Sequence, residues 1–255
     1  MEEKILLEMF GDKEWVSKLG PFLNSQEFLN IGKFVAFRRT KSLVFPNSED
    51  VFRAFRETPY SKVKVVFLGM DPYPTKGHAL GRSFGINAIS TSRMPPSLKN
   101  IVAELESDLG VILLDFDYSL SHWSKQGVLM LNAALTVEEK NPGSHMNQWS
   151  PFTKAVFESL KDTTGIIYIL LGKDAQQFKK YINLATNYVL EAPHPAAEVY
   201  AAGKAGFFGC KIFSRTNALL RGQNGTDNEI IWTHNPDSAD RKVDSFEEEN
   251  EGDPF

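Results

Sequence analysis

A carboxylate, a phenol, an amide and an imidazole each stand where this chain leaves an apolar run. Asp71 and Tyr73 lie in Asp71-Pro72-Tyr73-Pro74, directly after residues 63–68, where Lys64 is the only charge. A run that apolar, closed by Gly69, predicts a strand buried on both faces, as in a parallel sheet. Pro72 disfavours helical geometry at Asp71, and the two prolines stiffen the loop. The spacing therefore predicts a carboxylate and a phenol fixed just past the carboxyl end of a parallel strand, the edge where open α/β sheets bind ligands. Asn132 closes a second apolar run on the same edge, with an amide that donates and accepts together. His194 stands between Pro193 and Pro195, after a predicted strand at 188–191. Ser97 follows Pro95-Pro96 at the start of a predicted helix, a place that favours phosphate and equally suits an N-cap. Each has a plainer reading: Asp71 and Asn132 as turn residues, Tyr73 and Phe84 as core aromatics.

The order of these motifs is more specific than any one of them. Gly69-Met70-Asp71-Pro72-Tyr73-Pro74 with Phe84 resembles the water-activating loop of the uracil-DNA glycosylases. Pro95-Pro96-Ser97-Leu98-Lys99-Asn100, Gly127-Val128-Leu129-Met130-Leu131-Asn132, Ser144-His145 with Trp149, Ala192-Pro193-His194-Pro195 and Gly206-Phe207-Phe208-Gly209-Cys210 follow in that family's order. The resemblance spans roughly residues 15–221, and motifs in fixed order make chance a poor explanation. It implies hydrolysis of the bond between deoxyribose and a flipped-out uracil, without metal or cofactor. In that chemistry Asp71 orients the water and stabilises the sugar cation, and His194 donates to uracil O2. Tyr73 closes the pocket against the thymine methyl, Phe84 stacks on the base, and Asn132 reads the pyrimidine edge. Met70 joins the substrate-binding residues. Ser97, Lys173, Ala196, Ala197, Val199 and Tyr200 are expected on the DNA side.

The chain departs from the family's commonest form at several places. Pro74 stands where a histidine is usual. Gly172-Lys173-Asp174 replaces a Gly-Ser loop, and His194-Pro195-Ala196-Ala197-Glu198-Val199 lacks two phosphate-pinching serines and a leucine wedge. Lys173 is expected to supply a charge contact to phosphate, Glu198 to repel it, and the 200–204 segment to supply a wedge or a cation. These positions are similar to the poxvirus branch and suggest a viral or phage lineage. A non-catalytic DNA-binding or processivity subunit is the rival that the lost serines favour; a glycosylase for a modified pyrimidine is the other, opposed by Tyr73.

The elements that must position these groups follow from periodicity. Helices are predicted at 13–23, 26–37 and 48–55 (with Asn47 or Ser48 as cap), from Ser97 to about 109, and at 152–160, 174–182 and 212–220. Strands are predicted at 63–68, 128–131, 166–171 and 188–191. Alternating strands and helices imply an α/β three-layer sandwich: a central four-stranded parallel sheet with helices on both faces. Residues 1–221 read as one domain and 222–255 as a polar, acidic, disordered tail.

Composition bounds the partners. The chain has 255 residues, 42% of them apolar, enough for one sizeable core. Its single cysteine, Cys210, excludes an internal disulfide and suits a reducing compartment. No long apolar span and no signal-peptide pattern are present, so a cytoplasmic, membrane-free monomer is expected. Net charge is −4, but residues 244–255 hold six acids and no base; the remainder has 28 bases against 26 acids, which allows a local DNA-binding face. His78, His122 and His234 read as surface or loop residues and His145 as a structural one, and the scattered histidines form no metal spacing. The tail from Ser245 to Pro254-Phe255 looks like the acidic tip of bacterial single-stranded DNA-binding proteins, suggesting a replication or repair partner. A glycosylase-inhibitor protein is a further expected partner, at the surface around Val199 and Tyr200.

Overall fold

The computed structural model describes residues 2–87, 94–114 and 116–234. Three helices open the chain, α1 (Glu3–Phe10), α2 (Lys13–Leu23) and α3 (Gln26–Arg39), followed by strand β1 (Val44–Phe45) and helix α4 (Arg53–Glu57). Strand β2 (Val65–Gly69) leads through the Asp71 loop to α5 (Pro96–Leu109), then α6 (Ser121–Lys125), β3 (Val128–Asn132) and β4 (Val137–Glu138). Helix α7 (Met146–Ser159), β5 (Ile167–Leu171), α8 (Lys173–Gln176), β6 (Tyr188–Ala192), α9 (Ala197–Tyr200) and α10 (Ile212–Asn224) complete the order.

Strands β2, β3, β5 and β6 form one parallel sheet in the order β3-β2-β5-β6. Side chains alternate across its faces with a period of two. Val66, Leu68, Leu129, Leu131, Tyr168 and Leu170 face a core built with α1, α2, α3, α4 and α7. Val65, Phe67, Val128, Met130, Ile167 and Ile169 face a second core with α5, α6 and α10. Helices therefore cover both faces, which is why β2, β3 and β5 read as unbroken apolar runs, while β6 at the sheet edge is partly exposed. Register pairs Gly69 with Asn132 and Leu171 with Ala192, so the loops bearing Asp71, Asn132, Lys173 and His194 leave from one carboxyl edge. The chain leaves β2 toward β3 and β5 toward β6, and the crevice between these diverging strands is where such sheets bind ligands.

The predicted elements are present with shifted ends. Helix 152–160 begins earlier, at Met146, and contains Pro151 at the expense of one backbone hydrogen bond. Residues 48–57 divide into a 3-10 turn (Ser48–Asp50) and α4, and 173–181 into α8 and a second 3-10 turn. Helix α1 and the antiparallel pair β1–β4 are additions, the pair too short to leave a periodic signal.

The largest correction falls after residue 221. Helix α10 continues to Asn224, and Ile230 and Trp232 are each only 1% exposed. Asn217 and Gln126 bind this strap through side-chain amides, each accepting an N–H and donating to a carbonyl, of Ile230 and Ile231 respectively. Trp123 donates to the Trp232 carbonyl at 2.9 Å, and the His122 ring nitrogen lies 3.1 Å from it. His122 is thus fully buried rather than a surface residue. Ile230-Ile231-Trp232 is an apolar run too short to carry a periodic signature in a polar stretch, yet Ile230 and Trp232 close the second core. Residues 235–255, including the acidic tip from Ser245, lie outside the described residues. No described helix is long and apolar enough to cross a membrane.

Candidate active site

Met70, Asp71, Tyr73, Phe84, Ser97, His194, Ala196 and Tyr200 line one cleft of about 670 Å³ at the carboxyl edge of the sheet. Asn132 is not among the lining residues; it approaches the cleft-lining Phe84 over Gly69. A Cβ there would stand 2.6 Å from Asn132 Oδ1 and 3.1 Å from the Phe84 ring, so only glycine lets amide and ring converge. Asn132 is 5% exposed.

Asp71 is held from across the cleft. Its Oδ2 accepts the Gly143 N–H at 2.6 Å, and Gly143 adopts a left-handed φ of 77°. Burial raises the carboxyl pKa to about 6; the Gly143 N–H opposes that shift, and the negative charge of Asp174 adds to it. The group is ionised at neutral pH yet close enough to its titration to accept a proton.

His194 packs against the β5 turn so closely that a Cβ on Gly172 would lie 2.8 Å from its Cβ. The Ala196 N–H donates to Nδ1 at 3.2 Å, which leaves Nε2 as the protonated nitrogen of the neutral ring. Burial lowers the imidazole pKa, and Asp174 pulls the other way. The ring centroid is 5.9 Å from that of Phe84. Phe84 itself is 7% exposed and has φ 61°, a rare setting for an aromatic residue.

Tyr73 is fixed at its hydroxyl, which donates to the Phe84 carbonyl at 3.1 Å and pairs with Ser97 Oγ at 3.0 Å. Burial pushes its pKa far above the usual phenol range. This pairing corrects the expected role of Ser97 as N-cap. The cap of α5 is Pro95, and the Ser97 hydroxyl, 5% exposed, serves Tyr73 instead.

The residues expected on the DNA side divide. Ala196 and Tyr200 border the cleft, and Tyr200 is 90% exposed. Lys173 and Ala197 border a neighbouring hollow behind His194, and Val199 is exposed beside Tyr200 without lining the cleft. Glu198, expected to face phosphate, is instead 3% exposed. Its carboxylate accepts N–H groups of Ala205, Phe207 and Phe208 and caps the loop back toward α10. Burial alone would raise its pKa, but these bonds together hold it below the ordinary value. Sequence reasoning passed over Gly143, Asp174 and the cleft-lining His78. Gly143 precedes the Ser144-His145 motif, and Asp174 lies in the altered Gly172-Lys173 loop, so both had weak local signals.

A family model, "Uracil DNA glycosylase superfamily", matches residues 55–221. The chain belongs to that superfamily. It is 42% identical over 227 residues to a uracil-DNA glycosylase of Coxiella burnetii, covering 88% of this chain and 96% of the relative. It is 38% identical over 231 residues to one of Xanthomonas euvesicatoria, covering 89% and 92%. In fold it is similar to the crystal structure of mimivirus uracil-DNA glycosylase, with a TM-score of 0.77 at 24% identity and 86% of each chain covered. A mimivirus variant in complex with UGI superposes with a TM-score of 0.78 at 23% identity, covering 91% of each chain.

Proposed function

We propose that the protein is a monofunctional uracil-DNA glycosylase that hydrolyses the N-glycosidic bond of flipped-out deoxyuridine and leaves an abasic site. The observation that carries this reading is the Asp71 carboxylate: anchored by Gly143, partly desolvated, and set across one cleft from the Phe84 ring and the His194 imidazole. As the bond between C1′ and the base nitrogen lengthens, positive charge grows on the sugar and negative charge on the uracil ring. The fixed Asp71 carboxylate stabilises the first and accepts a proton from the water that attacks C1′. Nε2–H of a neutral His194 stabilises the second by donating to O2; an imidazole held neutral by burial suffices because its Nδ1 is already occupied. The electron pair of the broken bond leaves with the base, and water supplies the hydroxyl at C1′.

Selectivity is assigned to Asn132 and Tyr73. The amide matches the O4 acceptor and N3–H donor of uracil and mismatches the amino group of cytosine. Tyr73, fixed through its hydroxyl, excludes bulk at carbon 5; this also opposes a glycosylase for larger modified pyrimidines. The names of the bacterial relatives support catalysis over a non-catalytic binding subunit. Among the described residues no lysine lines the cleft as a nucleophile, so strand cleavage is not expected. Ser97, Lys173, Ala196, Ala197, Val199 and Tyr200 are assigned to the DNA side, with Tyr200 as the wedge.

The inhibitor complex of the mimivirus variant supports an inhibitor protein as a kind of partner, and the exposed Val199–Tyr200 rim is the surface we assign to it. A partner for the acidic tip from Ser245 remains part of the proposal. Unchanged partner pull-down and unchanged salt-dependent DNA affinity after deletion of residues 244–255 would remove it. The main reading is tested by release of labelled uracil from oligonucleotides, for which the expected result is abasic product from the wild type that falls steeply in Asp71→Asn.

A further inference from the structure

Phe84 holds a left-handed backbone inside a three-residue turn, in which Gly85 N–H donates to the Ser83 carbonyl at 2.8 Å. For a bulky residue that conformation is strained and persists only where neighbours over-determine it. Ser83 is tied to both adjacent strands, its N–H to the Met130 carbonyl and its hydroxyl to the Phe67 carbonyl. The side chain before it, Arg82, points away from the cleft and is only 8% exposed. Its guanidinium grips Glu57 of α4 with two prongs, Nε to Oε2 and Nη2 to Oε1 at 2.7 Å. The third prong, Nη1, donates to the Ser119 carbonyl at 3.0 Å.

That same carbonyl lies 2.4 Å from where a Cβ on Gly85 would stand. On the other side, a Cβ on Gly81 would collide with the Asp50 carbonyl at 1.8 Å. The segment is thus pressed between residues 50–57 and 118–119, with Arg82 as the bolt. A buried ion pair is weak support for stability, because desolvation offsets most of its attraction. A two-pronged, nearly buried arginine is better suited to fixing geometry.

We infer that Arg82, through Glu57 and the Ser119 carbonyl, is a positioning residue that holds the Phe84 turn in its left-handed form and so sets the ring against the base-binding edge. The inference rests on the proposed base-stacking role of Phe84.

The test uses the full chain and the double substitution Glu57→Met with Arg82→Met. Arg53, which also lies 3.6 Å from Glu57, keeps its pairing with Asp50, so removing both charges leaves no buried unpaired ion and folding is retained. Free uracil is the probe, as a competitive inhibitor of oligonucleotide cleavage. Misplacement of the ring is expected to weaken uracil inhibition about ten- to hundredfold. Affinity for uracil-free oligonucleotide should stay at the wild-type value. In a Phe84→Ala background the same double substitution should change uracil inhibition little, because the ring it positions is gone. Uracil inhibition equal to wild type, or a loss that multiplies fully with that of Phe84→Ala, would overturn the clamp. Should the double variant fail to fold, Arg82→Lys decides by the same readouts, since it keeps the charge and loses the fork. If the wild type released no uracil, the proposed function would fail. The clamp would then be read from the fluorophenylalanine spectrum, its Phe84 signal assigned with Phe84→Leu. A signal unmoved by the double substitution would overturn the clamp, and a shifted one would sustain it.

Discussion

At the scale of the residue, the proposed function requires Asp71 to be ionised to receive the proton of the attacking water, and burial raises its pKa to about 6. Activity is therefore predicted to fall with unit slope as pH drops below about 6, measured as kcat/KM against pH. Asp174 helps raise that pKa, so Asp174→Asn should move the acid limb to lower pH; an unmoved limb would count against Asp174 as its cause. Linkage runs the same way. With the folded pKa above the unfolded value of 3.8, ionisation costs stability as pH rises through the interval between them. Asp71→Asn should therefore stabilise the fold by about 1–2 kcal/mol above pH 6, with no gain near pH 3, while lowering kcat about 10²–10⁴-fold. Thermal melts at both pH values check the first effect. Tyr73→Ala opens the space at carbon 5 and should admit thymine, read as thymine release that the wild type lacks. The sequence exposed these residues because prolines and strand ends fix their places; it hid Gly143 and Asp174, whose roles depend on loops that meet only in three dimensions.

At the scale of the element, the sheet was legible because strands buried on both faces are written as apolar runs, and the loops after them inherit the carboxyl edge. The loop after β6 was not. Read along the chain, Glu198 is an anion near phosphate; folded, its carboxylate satisfies the backbone of residues 205–208, and α9 turns Tyr200 outward at the cleft rim. In the proposed function this exposed ring takes the place of the missing leucine wedge. Tyr200→Ala should lose about tenfold in excision from duplex DNA, where the emptied stack must be filled, and little from single strands. Equal losses on both substrates would remove the wedge role. Ser97 carries a similar lesson: a hydroxyl at a helix start reads as a cap, but the preceding prolines had already begun the helix and freed it for Tyr73.

At the scale of the molecule, the fold extends beyond the matched segment, through the strap that ends on Trp232 against Trp123 and Phe213. Trp232→Ala should cost about 3–5 kcal/mol of stability, and a chain ending at 221 should unfold well below the wild-type temperature. A truncation with wild-type thermal stability would show that the strap contributes nothing. The two cores enclose one sheet, and the residues assigned to the proposed reaction gather at its carboxyl edge. The most direct measurement is excision from labelled single- and double-stranded oligonucleotides carrying uracil, thymine or 5-hydroxymethyluracil, with wild type and Asp71→Asn side by side. The account predicts release of uracil alone, falling steeply in the variant. No release from either uracil substrate, with DNA binding intact, would contradict it.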